Sequence, residues 1–288
     1  MGKRCLTLAT LVQLSKSRPW TGVPSTTQLI NGTCEAFLKI TKDYAVDPQD
    51  QMFALLGTKV HNRLSLDDVD GSSMEEDNSM ITSHGISMTA DLLEEEDGWV
   101  ILTDYKTSGA FKVQKAVGIS ARLVEQQDKF YQKKTTITDP ESGITITREK
   151  GDKMFKKIWE ANIKKQDCDD WVKQLNYYRI GLEEKKRKEN PDFKVHELRI
   201  EAIVRDGGLA SAIAYGVDKK VYLIPIPEKD DKEIVDYFIM KKEALEKALA
   251  DGKPASGCTD DECWSGRKCA KFCAVKEFCE YAQDRGVS

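Results

Sequence analysis

The chain predicts an α/β fold, and three observations predict it. Trp99-Val100-Ile101-Leu102-Thr103 is a nearly continuous apolar run, the pattern of a strand buried on both faces. Two more strand-like runs, residues 194–204 and 221–226, flank an Asp206-Gly207-Gly208 turn. Interleaved with these strands are segments with apolar residues at helical spacing: 49–66, 171–186 and 230–249.

In chain order, residues 17–24 (SRPWTGVP) form a turn-rich lead-in. Ser25 reads as an N-cap for a helix carrying Leu29, Ile30, Ala36, Phe37 and Leu38, which Gly32 weakens. In 49–66, Phe53, Leu56, Val60 and Leu64 make one apolar stripe, with His61 beside it. Residues 84–108 read as a hairpin: a first strand ending near Asp91, an acidic turn Glu94-Glu95-Glu96-Asp97-Gly98, and the buried run leading into Asp104-Tyr105-Lys106. Residues 113–134 look mostly helical, and 153–165 look like another helix. Between them, Thr135 to Thr147 alternates Thr and Ile about a Pro140/Gly143 turn, a hairpin pattern. In 171–186, Gln174 and Tyr178 stand four apart and share a face. In 230–249, Ile234, Phe238, Leu245 and Leu249 lie on one side.

At 288 residues the chain has room for one large core or a domain with an appendage. No run approaches the roughly 20 apolar residues that cross a bilayer. The N-terminal segment is too short and interrupted for a signal peptide, which points to the cytoplasm and no membrane partner. A formal net charge of −4 excludes a protein that coats nucleic acid indiscriminately. The distribution is uneven: residues 67–97 hold eleven Asp and Glu with no Lys or Arg, while 109–170 hold thirteen Lys and Arg against ten Asp and Glu. Five of the eight cysteines lie between Cys258 and Cys279. Such crowding in a cytosolic chain favours metal or cluster ligation over disulfides.

Two carboxylates and a lysine at the ends of buried strands are costly to desolvate without a partner. Asp91 and Asp104 suit a hard, oxygen-preferring cation such as Mg²⁺ or Mn²⁺. Lys106 shares a strand face with Asp104 and is placed to orient a water or meet phosphate charge.

These residues resemble the PD-(D/E)XK nuclease superfamily, with Asp91 at the first acidic position and Asp104-Tyr105-Lys106 as the (D/E)XK tripeptide. Gly57 and His61 match the G-x-x-x-H helix of its RecB-type branch, and Gln174 with Tyr178 matches that branch's Q-x-x-x-Y helix. The surroundings of Cys34, and the Cys273-x5-Cys279 spacing, resemble the ligands of a [4Fe–4S] cluster in several such nucleases. Cys269-x3-Cys273 is one residue longer than that pattern, which leaves Cys269, Cys263 and Cys258 competing for the remaining position, Cys269 favoured. A Zn²⁺ centre drawn from the C-terminal cysteines is the alternative.

The resemblance spans residues 25–279 except 109–170. It implies a PD-(D/E)XK core: a central mixed sheet flanked by helices, with the C-terminal cysteine cluster closing onto an N-terminal helix. The implied organisation is a lead-in (1–24), a nuclease domain (25–257) with an insertion at 109–170 bordering the DNA path, and a cluster segment (258–288). It further implies a metal held by His61, Asp91, Asp104 and the Tyr105 carbonyl, with Lys106 at the attacking water, Gln174 steadying Lys106 and Tyr178 at the substrate. The cluster ligands would be Cys34, Cys269, Cys273 and Cys279. By the same likeness to CRISPR-associated and phage RecB-type exonucleases, the substrate is single-stranded DNA with a free end. A helicase, recombination or CRISPR partner would be a separate chain, since no P-loop is present. The rival readings are a non-catalytic iron–sulfur DNA-binding scaffold subunit and a zinc-bound interaction module.

Overall fold

A computed structural model describes residues 6–16, 19–64 and 81–284. Its elements run α1 (Leu8–Leu14), α2 (Thr26–Ile30), α3 (Thr33–Thr41), α4 (Met52–Leu64), β1 (Ile81–Ser83), β2 (Ile86–Met88), β3 (Leu92–Glu96) and β4 (Trp99–Ser108). They continue through α5 (Ala110–Val117), β5 (Ile119–Phe130), β6 (Thr135–Thr138), β7 (Thr145–Arg148), β8 (Lys153–Ala161), α6 (Asp169–Lys186), β9 (Glu197–Val204) and α7 (Ala210–Ile213). The chain closes with β10 (Val221–Ile226), α8 (Asp231–Asp251), α9 (Arg267–Lys271) and α10 (Glu280–Asp284). The fold is mixed α/β, as the interleaved patterns predict.

The main sheet has the order β10-β9-β4-β3. β3 and β4 are antiparallel, with Leu92 opposite Thr103. β9 runs parallel to β4, because His196 N–H donates to Val100 O and Arg205 N–H to Ser108 O as both strands advance. β10 turns back against β9, where Val204 N–H donates to Lys220 O. The sheet is therefore mixed. Val100 to Asp104 are buried one after another, as a strand covered on both faces requires.

The chain divides into two compact units. The first comprises Met1–Asp104, Asp170–Arg199 and Pro225–Ser288. Its core contains Leu29, Ile86, Leu102, Leu175, Tyr177 and Phe238, all essentially inaccessible. The Tyr177 and Phe238 rings meet at 4.4 Å, packing α6 on α8, and Tyr177 Oη donates to Ser83 O at 3.0 Å. At the N-terminal end Ser25 forms a full capping box with Gln28, and Thr26 Oγ1 donates to Ser87 O. The helix expected across Gly32 is two helices, α2 and α3, because Gly32 takes φ +106 between them.

The second unit is Tyr105–Asp169 and Ile200–Ile224. Here two expectations are corrected. Residues 113–134 are not mostly helical: α5 stops at Val117 and β5 begins at Ile119. Gly118, at φ +72, closes the helix with its N–H on Gln114 O and Lys115 O. A Cβ there would lie 2.1 Å from Asn162 O, so the turn admits glycine alone. Residues 153–161 are likewise strand β8, antiparallel to β5 with Ala121 opposite Trp159 and Glu125 opposite Phe155. Pairing outweighs the helix propensity of their Lys, Gln and Glu residues. The hairpin expected at 135–147 is present as β6–β7.

Two smaller corrections concern the acidic hairpin and α4. Glu94 to Glu96 lie in β3, and the turn is only Asp97-Gly98, both at positive φ (51° and 77°) as a two-residue type I′ turn demands. Asp91 thus precedes β3 rather than ending a strand that pairs with β4; β2 pairs instead with β1. The α4 helix forms, but Phe53 and Leu56 of its apolar stripe are 59% and 46% exposed.

Candidate functional site

Two clusters of the first unit bring predicted residues together; Tyr105 and Lys106, which adjoin one of them along the chain, belong to the second unit. The first begins on α4, whose helical rise sets His61 over Asp91 at the entry to β3: His61 Nδ1 lies 3.2 Å from Asp91 Oδ2. The β3–β4 pairing ends with Leu92 opposite Thr103; Asp91 precedes the first of these and Asp104 follows the second. Asp104 is 3% exposed, so an ionised carboxylate there needs a charged or hydrogen-bonding neighbour. Tyr105 and Lys106 follow on the same strand, half-buried, with Lys106 on the Asp104 side by strand alternation. On α6, Gln174 Nε2 donates to Tyr178 Oη at 2.7 Å. Tyr178 is 6% exposed, so this pair is an internal contact of the helix as well as a candidate at the site.

The two carboxylates, Asp91 and Asp104, are donors that a hard divalent cation prefers, whereas the His61 imidazole suits a softer transition metal better. Among the described residues, no group of three or more His, Cys, Asp and Glu is arranged as a complete metal-holding set. What the fold assembles directly is the His61–Asp91 pair.

The second cluster gathers thiols from both ends of the sequence. Cys34, in the first turn of α3, is 2% exposed and its Sγ lies 3.9 Å from that of Cys279. Cys34, Cys258, Cys269, Cys273 and Cys279 line one small cavity. Gly32 lets the segments close: a Cβ on it would stand 2.9 Å from Cys258 Sγ. Cys258 therefore joins the cavity alongside Cys269. Cys263 does not line it; its sulfur accepts the Gly266 N–H at 3.4 Å and closes a turn.

The electrostatics show thiols crowding one another. The Cys34 thiol is pushed well up by its hydrogen bond to Cys258, by burial, and by Cys279. Cys258 is drawn down to about 7 by the hydrogen bond from Cys34, against the opposing effect of burial, with the Glu35 backbone N–H helping. Cys269 is raised to about 11, by burial first and then by Cys263 and Cys273. Cys273 is raised chiefly by burial. Raised in this way, Cys34, Cys269 and Cys273 are held as neutral thiols, and losing their protons together would need a cation beside them.

No family model, curated protein or solved structure matches this chain. The sites therefore stand on their own chemistry.

One functional neighbourhood has no motif in the sequence. Glu35, beside Cys34, is 5% exposed and receives Lys268 Nζ at 2.5 Å and Lys39 Nζ at 2.6 Å. Lys268, beside Cys269, also donates to Asn31 Oδ1 at 3.2 Å. Lys241 of α8 pairs with Glu262 in the same region. The only available signal was charge placed immediately next to a cysteine at each end of the chain.

Proposed function

We propose that the chain is a metal-dependent deoxyribonuclease of the PD-(D/E)XK, RecB-type class, acting on single-stranded DNA with a free end. The observation that carries this reading is the 3.2 Å contact between His61 and Asp91, thirty residues apart, with Asp104 buried one residue past the last β3–β4 pair. The sequence resemblance calls for this conjunction, and composition alone gives no reason for it.

In this reading His61, Asp91, Asp104 and the Tyr105 carbonyl hold Mg²⁺ or Mn²⁺. The ion, when bound, polarises the scissile phosphate and lowers the pKa of an attacking water. Burial of Asp104 keeps its carboxylate in a low-dielectric setting, where attraction to a cation is strongest. Lys106 orients the water or meets charge developing on the phosphate. Tyr178, its hydroxyl fixed by Gln174, contacts the substrate strand.

The thiols are an architectural [4Fe–4S] centre in the same reading, with Cys34, Cys273 and Cys279 as ligands and the last place contested between Cys269 and Cys258. One observation favours zinc: the 3.9 Å Cys34–Cys279 separation is close to the roughly 3.8 Å edge of a tetrahedron of sulfurs around Zn²⁺. Metal analysis of anaerobically purified protein separates the two, since iron–sulfur protein is brown and zinc protein colourless.

The test of activity is end-labelled single-stranded DNA incubated with Mn²⁺, Mg²⁺ or chelator, using wild type and Lys106→Ala. Metal-dependent products lost in the variant are the expected result. No products from folded, metal-loaded protein that still binds DNA would transfer the assignment to a scaffold subunit.

A further inference from the structure

The second unit contains a surface that the metal site does not use. β5 and β8 form a two-stranded antiparallel ribbon whose long strand has twelve residues, a reach of ~40 Å at ~3.3 Å per residue. Beyond a bulge, Tyr131 N–H donates to Asp152 O and Gly151 N–H to Tyr131 O, continuing the pairing toward β6–β7. Tyr131 is buried, and its hydroxyl accepts the Phe155 N–H at 3.4 Å. An Arg148–Glu125 ion pair at 2.9 Å ties β7 to β5.

The charge on this ribbon runs against that of the protein. Residues 125–134 and 148–157 hold eight Lys and Arg against four Asp and Glu, in a chain whose net charge is −4. Two of the four acids are already held, Glu125 by Arg148 and Glu149 by Lys134, and Asp152 accepts the Glu149 N–H. Lys129, Lys133, Lys150 and Lys156 are all exposed. None of these four has a carboxylate partner among the described residues.

We propose that this ribbon is a DNA-binding arm that lies along duplex DNA, its four exposed lysines on phosphates. A two-stranded antiparallel ribbon is an element that the major groove admits. Three of the arm's four aromatic rings, Tyr131, Phe155 and Trp159, are largely covered and one, Phe130, is 46% exposed, which favours duplex over a single strand stacked on successive rings. Arg148 sits 4.3 Å over Phe155, Lys157 sits 5.3 Å over Trp159, and Trp159 also packs on the glycine at 216. Stacking on unpaired bases needs open ring faces; phosphate contact needs only the lysines. The proposal rests on the nuclease reading for its choice of DNA, and it adds that the substrate carries duplex beside its single-stranded end.

The test uses the full chain in chelator, so that no cleavage intervenes, with labelled duplex and single-stranded oligonucleotides of equal length across a salt series. The variant is Lys129→Gln/Lys133→Gln/Lys150→Gln/Lys156→Gln; the control is Lys188→Gln/Lys253→Gln, two exposed lysines of the other unit. The arm variant should lose about tenfold or more in duplex affinity, and its log–log salt slope should flatten by about three to four, near 0.9 per phosphate contact. Single-strand binding should change less, and the control should match wild type. Circular dichroism and an unchanged thermal melt confirm that the arm variant is folded.

Unchanged duplex affinity in the arm variant overturns the proposal, as does an equal loss for single strands. Loss of self-association with DNA binding intact overturns it in favour of a second copy of the chain. The nuclease reading fails separately: a chain that binds duplex through the arm but never cleaves keeps the arm and loses the enzyme.

Discussion

At the scale of single residues, burial decides which side chains can carry chemistry. Asp104 is buried at 3% and Asp91 is in contact with His61, so removing either carboxylate acts on charge rather than on bulk. Asp104→Asn should abolish metal-dependent cleavage, a fall of about 10³-fold or more, while leaving secondary structure intact. Retained cleavage in purified Asp104→Asn protein would remove Asp104 from the site. Glu35 gives a second test through pH. Burial pushes its carboxyl up, but Lys39 and Lys268 outweigh burial and leave it below the usual carboxylate range. A folded value below the unfolded one of about 4.3 means stability that is present above that pH and lost as pH falls through the folded value. Glu35→Gln should therefore cost about 3 kcal/mol of stability at neutral pH, as for a buried pair broken on one side, which lowers Tm, and flatten the acid limb of the Tm–pH curve. An unchanged acid limb would show that the Glu35–Lys268 pair is not coupled to folding.

At the scale of elements, legibility follows the source of each element's stability. The buried β4 run, the Ser25 cap, the Thr/Ile hairpin and the amphipathic α8 were readable because periodicity and local caps determine them. The ribbon β5–β8 was not, because Glu125, Gln126, Gln127 and Lys129 favour helix and only the partner strand overrules them. The stop signal was visible in Gly118, yet glycine inside an apparently helical run is ambiguous until Asn162 O is seen against it. Within the candidate site, His61 was named from a resemblance and Asp91 from its place beside a buried strand, and the two meet in the fold, whereas the place of Cys258 beside Cys34 depends on the loop around Gly32 and carries no spacing signal. Gly118→Ala tests the element directly. It combines a left-handed φ with a clash against backbone, so Tm should fall by an amount corresponding to ~2–3 kcal/mol. A change under ~1 kcal/mol would mean that the α5–β5 junction relaxes without loss.

At the scale of the molecule, the thiol cavity brings together segments far apart in the sequence. Cys34 and Cys279 are 245 residues apart in sequence and 3.9 Å apart in space. Linking them through a metal centre would restrict the unfolded chain over nearly its whole length, and binding free energy at such a site is folding free energy. The protein contacts around the centre, Lys268 to Glu35 and Lys241 to Glu262, hold the same segments but are ion pairs whose desolvation offsets much of their attraction. The centre should therefore contribute more than these pairs do. Cys34→Ser and Cys279→Ser should each lose bound metal and shift Tm downward, and should open the segment 252–266 to protease. Cys263→Ser, whose sulfur closes a local turn, should keep its metal, and so should Cys168→Ser, which is buried but does not line the cavity. Metal per chain in Cys258→Ser and Cys269→Ser then decides the contested ligand, because the thiol that coordinates loses the centre and the one that only lines the cavity does not. If Cys279→Ser retained full metal and full Tm, the link between the two ends of the chain would rest on contacts other than Cys279, among them α3 packing against α8, the ion pairs and the Lys268–Asn31 hydrogen bond.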